Sequence, residues 1–180
     1  MTAATGPART PKGEHRRRAL LAGVLAVLEE GGPAAVSHRA VARAAGVPLA
    51  SATYYFAGRD DMLRSALRHA TAEWARSLDE LERPTLADLA RTLVRYAVEE
   101  RASAVAQYEL LFAATRDASL RADADAWYAS LDHVLVRVGV PAERLPVASL
   151  AVDGLIVRML WRGDPADAAA TEKLLARIVG

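Results

Sequence analysis

The sequence has no cysteine, and this alone excludes disulfides, thiolate metal centres and cysteine nucleophiles. Aromatic residues are scarce as well, at 6% of 180 positions, and the 52% hydrophobic content is mostly Ala, Leu and Val. Ala and Leu lead the helix-propensity order, so this mixture favours helices over sheets. No stretch alternates polar and apolar residues with period two over more than a few positions, which argues against strands. Catalytic signatures are missing too: there is no Gly-rich phosphate loop, no Gly-x-Ser-x-Gly and no His-Glu-x-x-His. The four histidines, His15, His38, His69 and His133, have no metal-ligand spacing. The expectation is a protein that is not an enzyme and uses no metal or cofactor.

One segment imitates a targeting signal. Arg16, Arg17 and Arg18 precede an apolar run from Ala19 to Leu28, but Glu29 and Glu30 follow where a small neutral cleavage region belongs. The run is also short of the roughly 20 residues that a membrane span needs. An amphipathic helix of a cytoplasmic protein with no membrane partner is expected.

The near-neutral net charge of +1 hides an uneven distribution. Residues 1–70 hold 10 Lys/Arg against 5 Asp/Glu, whereas residues 71–180 hold 13 against 17. A basic first third followed by an acidic remainder suggests that the first third faces a polyanion. Chance clustering on solvated helix faces gives the same counts.

Residues 1–13, with Arg9 and Lys12, have the composition of a flexible basic arm. A first helix is predicted from about Glu14 to Glu30, stopped by Gly31, Gly32 and Pro33. Ser37 caps a second helix that ends at Gly46, and Pro48 opens a third. Gly58 separates this from a long fourth helix, begun by Asp60 and Asp61 at its positive end and running to about Glu82. Thr85 caps a fifth, a residue near Ser103 begins a sixth, and Asp117 a seventh. Gly139, Val140 and Pro141 precede an eighth over about Leu145–Trp161, and Gly163, Asp164 and Pro165 separate it from the last. The fold class is therefore all-α, with about nine helices: a three-helix N-terminal domain plus a C-terminal helical bundle.

The stretch from Ser37 to Asp61 carries the argument for function. Ala42 stands four residues before Gly46, and Val47 follows it. A small residue lets two helices approach, Gly turns the corner, and Val anchors the turn, which is the layout of a helix-turn-helix. Together with its flanks, this stretch resembles the TetR family of bacterial transcriptional regulators over residues 14–67. The resemblance rests on Ser37, Val41, Ala42, Ala45, Gly46 and Val47, on Phe56 ten residues after that glycine, and on Arg59, Asp60, Asp61, Met62 and Leu63. Where family members commonly show Ser-x-Gly-x-Leu-Tyr-x-His-Phe, this chain has P-L-A-S-A-T-Y-Y-F, so Tyr55 replaces a His and Thr53 a Tyr.

The resemblance implies a division into an arm (1–13), a helix-turn-helix domain (14–59) and a ligand-sensing, dimerising domain (60–180). It places Ser37, Tyr55 and Arg59 on phosphates, and Arg39, Leu49, Ala50, Ser51 and Thr53 at base edges of double-stranded operator DNA. His38, Pro48 and Tyr54 complete the expected DNA-facing set, although Tyr54 suits a core position equally well. Arg can bind guanine bidentately, and Ala or Thr methyls suit the thymine methyl.

In the C-terminal region, the predicted helix 145–161 is apolar on every side, as expected of a helix buried by several neighbours. Leu150, Gly154, Val157 and Trp161, with Leu174, Leu175 and Ile178, are the expected homodimer interface, by analogy with the family. A single central helix in a monomer core would read the same way. Trp74, Tyr96, Tyr108, Phe112, Trp127 and Tyr128 are the expected lining of a small-molecule cavity, with Glu109 and Asp153 as polar orienters. Aromatics at helical spacing also describe plain core packing. The function implied is a repressor released from its operator by a ligand; a helical interaction protein without DNA binding, or a small enzyme using the cavity, are the alternatives.

Overall fold

The computed structural model describes residues 11–80, 82–163 and 167–179. Among these residues there are nine α-helices and no strand. Internal packing divides the chain into two compact units, one up to Ala66 and the other from Leu67 onward.

In the first unit, α1 spans Pro11–Ala35 and so exceeds its predicted length at both ends. Residues 11–13, expected in the basic arm, already belong to it, while Arg9 and the side chain of Lys12 lie outside the described residues. The expected stop is a kink: Gly32 has φ 66° and ψ −174°, after which one more turn reaches Ala35. Because α1 starts at Pro11, the exposed Arg16, Arg17 and Arg18 fall beyond its first turn. The macrodipole penalty of three cations at a helix start fades within that turn, so it does not apply here.

Helix α2 (His38–Ala44) begins where the Ser37 hydroxyl accepts the Ala40 N–H at 3.2 Å. Its crossing with α1 depends on Gly23, where a Cβ would stand 2.9 Å from the Val41 carbonyl oxygen and 3.0 Å from the Ala45 Cβ. No side chain fits that gap. The corner after α2 is turned by Gly46 at φ 63°, and the Val47 N–H donates to the Ala42 carbonyl at 3.0 Å. Helix α3 (Leu49–Tyr55) follows, with Pro48 just before its first residue. Val41, Ala42, Ala52 and Phe56 are buried with Leu20, Val24 and Leu28 of α1, so the helix-turn-helix rests on its own small core. Helix α4 (Arg59–Asp79) starts with the Asp61 carboxylate accepting the Ala57 N–H at 3.0 Å.

The second unit opens with α5 (Leu86–Val94), begun by a capping box: Thr85 Oγ1 accepts the Asp88 N–H while Asp88 accepts the Thr85 N–H. The hydrogen bonds from Thr85 hold the Asp88 carboxyl below its ordinary range. Periodicity predicted one uninterrupted helix here, but Arg95–Glu99 forms a π-helical turn that carries the buried Tyr96 and Ala97. Such turns are rare and sit mostly at functional sites. Then come α6 (Arg101–Ala113), a 3₁₀ turn at Ala118–Leu120 begun by Asp117, and α7 (Arg121–Arg137). Gly139 leads towards α8 (Leu145–Arg162), which ends at the left-handed Gly163, and α9 (Ala168–Val179) closes the chain. Asp164 and Pro165, expected in the last break, lie outside the described residues. Leu89, Leu93, Leu131, Leu135, Val152, Ile156 and Leu175 are fully buried in this unit. No helix among the described residues is long and apolar enough to cross a membrane.

Candidate functional site

Two sets of side chains stand apart from plain core packing, one in each unit. In the first, α3 buries Ala52, and Phe56 beyond its end, and so presents Leu49, Ala50, Thr53 and Tyr54 to solvent. Tyr54 is 67% exposed, which removes it from the core. Pro48, Ser37 and Arg39 are exposed beside them, and Ser51 is half-buried. Arg39 makes no hydrogen bond or ion pair among the described residues.

Three expected DNA contacts have partners within the chain. His38 Nε2 donates to the Phe56 carbonyl at 3.0 Å, fastening the start of α2 to the end of α3. The Tyr55 hydroxyl donates to the Gly13 carbonyl at 3.2 Å, and its ring meets Tyr54 edge-on at 5.1 Å. Arg59 donates through Nε and Nη2 to the Pro33 carbonyl, at 3.2 and 2.9 Å, and so braces the corner after the α1 kink. The Thr53 hydroxyl is bonded within its own helix, to the Ala50 carbonyl at 3.1 Å. Ser37 is at once exposed and occupied in capping α2.

In the second unit, rings from four elements converge. Trp127 of α7 is completely buried; it stacks on Trp74 of α4 at 5.7 Å and meets Tyr108 of α6 and Tyr128 edge-on at 5.5 and 4.9 Å. Trp74 also packs against Tyr96 of the π turn at 4.6 Å. At one end of the cluster, Asp153 of α8 receives the Tyr108 hydroxyl at 2.6 Å and, more weakly, the Tyr128 hydroxyl at 3.4 Å. Burial first, then the adjacent Asp153 charge, push the Tyr108 phenol well above its ordinary range and raise that of Tyr128, so both remain donors at neutral pH. In the same cluster, the Tyr96 hydroxyl donates to Gln107 Oε1 at 2.7 Å.

Among the expected cavity residues, Trp74, Tyr96, Tyr108, Trp127, Tyr128 and Asp153 are thus brought together. Phe112 is 64% exposed and touches only the edge of the cluster, 6.3 Å from Tyr108. Glu109 faces solvent, and the buried polar group on α6 is Gln107. Spacing gave no signal that singles out Gln107: its face carries Ala104, Tyr108 and Leu111, but the face of Glu109 carries Val105, Phe112 and Ala113. Asp123 was missed as well. It receives Arg68 at 3.1 Å, and its carbonyl accepts the Thr71 hydroxyl at 3.4 Å, which ties α4 to the start of α7. A separate surface cleft of about 460 Å³ lies between α5, the π turn and α9, lined by Asp88, Arg91, Arg95 and Glu99 among others. None of the clustered rings lines it. No group of three or more potential metal ligands comes together among the described residues.

The outer face of α8 forms a third feature. Val147, Leu150, Gly154, Val157 and Trp161 follow one another at spacings of three and four, and all are exposed. Leu150 and Trp161 are 74% and 81% exposed, and a Cβ on Gly154 would meet open space. Leu174 of α9 is exposed and Ile178 half-buried, whereas Leu175 packs completely inside its own chain.

A family model described as "Bacterial regulatory proteins, tetR family" matches residues 20–66, and one described as "Tetracyclin repressor-like, C-terminal domain" matches residues 81–180. The chain belongs to the TetR family. It is a transcriptional regulator with the helix-turn-helix and helical C-terminal domain of that family. Among TetR-family structures, a member from Streptomyces coelicolor A3 shares 30% identity over 92% of this chain and 98% of its own, with a TM-score of 0.80. The multidrug binding protein EbrR in complex with ethidium shares 31% identity over 92% of this chain and 99% of its own, with a TM-score of 0.76. The fatty acid degradation regulator FadR of Bacillus halodurans, at 16% identity and a TM-score of 0.71, shares the fold. No curated protein matches the chain.

Proposed function

We propose that this TetR-family regulator is a repressor that binds operator DNA as a homodimer and is released by a planar aromatic cation. The observation that carries the ligand class is the Asp153 carboxylate held by two tyrosine hydroxyls at the edge of stacked rings. A cation placed there gains a counter-charge and the negative faces of the rings together. EbrR, similar over nearly its whole length, is described with ethidium, proflavin and malachite green bound. All three are conjugated aromatic cations, two of them flat, which supports the same class here.

The domain division at 14–59 and 60–180 follows the family pattern, with residues 14–59 reading DNA. Arg39, Pro48, Leu49, Ala50, Ser51, Thr53 and Tyr54 are the groups we assign to the groove, and Ser37, with the backbone around it, to phosphate. His38, Tyr55 and Arg59 hold the reading head in shape through the internal bonds described above. The α8 stripe supports a twofold partner, because residues at heptad-like spacing bury a seam against an identical helix. Leu174 and Ile178 extend that seam, while Leu175 acts in the core of its own subunit. A dimer also supplies the two half-sites, roughly 34–36 Å apart, that helix-turn-helix readers occupy. Ligand bound among Trp74, Trp127 and Asp153 favours an arrangement of α4 other than the DNA-bound one, and the population shifts accordingly.

The test is footprinting of the chain on DNA upstream of its own gene, followed by fluorescence anisotropy with and without ethidium. Expected are a protected twofold-symmetric site, a fall in affinity of roughly 10³–10⁵ between 50 and 200 mM salt, and release on adding ethidium. Binding of ethidium that leaves operator affinity unchanged would sink the release mechanism, and DNA binding without salt dependence would sink the phosphate assignment.

A further inference from the structure

We infer that the ligand of the aromatic cluster carries, besides the cation that meets Asp153, a hydrogen-bond acceptor such as a carbonyl oxygen that meets the N–H groups of Trp74 and Gln107. The inference rests on the proposal that the cluster is the effector site, and it adds a second, uncharged contact to the one at Asp153.

Trp74 and Gln107 are 3% and 4% exposed, and neither Trp74 Nε1 nor Gln107 Nε2 has a hydrogen-bond partner among the described residues. Most buried polar groups in native proteins are partnered, and leaving one alone is costly, so each such group calls for an explanation. An indole N–H only donates, so Trp74 asks for an acceptor. Gln107 is oriented by its carbonyl oxygen, which the Tyr96 hydroxyl already occupies, and this leaves the amide N–H₂ as its open function. The Tyr96 ring packs on Trp74, which places both donors beside the same ring. The buried Trp127 indole N–H also faces the Tyr96 hydroxyl without forming a proper hydrogen bond.

The cluster therefore offers two unlike functions, a carboxylate at Asp153 and uncharged N–H donors at Trp74 and Gln107. A flat molecule with a cationic amine and a ring carbonyl can satisfy both. A cation lacking the carbonyl satisfies only Asp153.

The experiment is calorimetric titration of the full chain with two compounds of matched shape. One is an anthraquinone and the other an anthracene, each bearing the same dimethylaminoethylamino chain. We expect the anthraquinone to bind roughly tenfold more tightly, as one or two added hydrogen bonds imply. That preference should vanish in Gln107→Met and separately in Trp74→Phe, each first shown by its far-UV spectrum and a cooperative thermal transition to be folded. Asp153→Asn should weaken both compounds alike and leave their ratio intact. Equal binding of the two compounds by the unaltered chain, or a preference that survives both substitutions, overturns the inference. The same pair without the amine chain separates this inference from the reading beneath it. If the neutral anthraquinone keeps its Gln107-dependent preference and the amine adds nothing, the cation assignment falls and the acceptor site stands. If no compound binds at all, both fall.

Discussion

In the N-terminal unit the residues proposed to meet DNA stand outside the core, whereas in the C-terminal unit those proposed to meet a ligand are mostly the core. Leu49, Ala50, Thr53 and Tyr54 reach solvent because α3 has already buried Ala52, so the proposed reading face is what remains after folding. Trp74, Tyr96 and Trp127, by contrast, are buried, and their packing and their proposed recognition use the same atoms. A surface site can change sequence at little cost to stability. An interior site cannot, which ties what the protein senses to how it holds together.

The largest effect that sharpens this contrast is expected from Trp127→Ala. Truncating a fully buried indole should cost about 3–5 kcal/mol in urea unfolding and abolish ligand binding as well. A loss below about 1 kcal/mol would show that the cluster is not structural, and the contrast would break. Next comes Leu150→Glu on the exposed α8 stripe. It should leave each subunit's far-UV spectrum unchanged while raising the dimer dissociation constant by roughly a hundredfold or more, because like charges meet across the twofold. Sedimentation equilibrium measures this, and an unaffected dimer would move the interface elsewhere. Arg39→Ala is expected to weaken operator binding by about 1–3 kcal/mol, the range of one bidentate base contact, at constant melting temperature. Operator affinity unchanged in anisotropy would remove Arg39 from the groove.

The smallest effect belongs to Tyr55→Phe, and it divides the two roles most finely. If the hydroxyl serves the Gly13 carbonyl, stability falls by about 0.5–1.5 kcal/mol and operator affinity measured on the folded fraction stays the same. If the hydroxyl leaves Gly13 for a phosphate, affinity falls and stability holds. Thermal melts beside anisotropy on the same variant decide between them.

The breaks between helices were legible because a cap or a turn is a local matter. Ser37 and Thr85 announce helix starts through their own hydroxyls, and Gly46, Gly139 and Gly163 adopt positive φ where the chain turns. The α1 boundaries were less legible, since Gly32 breaks the helical geometry without ending the helix. The helix-turn-helix was readable for the same reason as the caps: its corner and the two helices it joins lie within 20 consecutive residues, Ser37 to Phe56. Individual contacts were not. Tyr55 and Gly13 are 42 residues apart and Tyr108 and Asp153 are 45 apart, and no spacing rule joins them. Periodicity chose the correct faces for Trp74 and Trp127. It could not choose between Glu109 and Gln107, because two positions on a helix differ by about 200° in direction and only the neighbouring helices say which direction is inward.

Composition, caps and the short-range motif were enough to determine that this chain is all-helical and belongs among TetR-type regulators. Those features depend on backbone geometry and residues close in sequence. The tertiary structure decided which polar groups are spent internally, as with His38, Tyr55 and Arg59, and which are left open, as with Trp74 and Gln107. A hydrogen bond needs a partner within about 3 Å, and it is the packing of helices distant in sequence that brings the partner there or leaves the group without one.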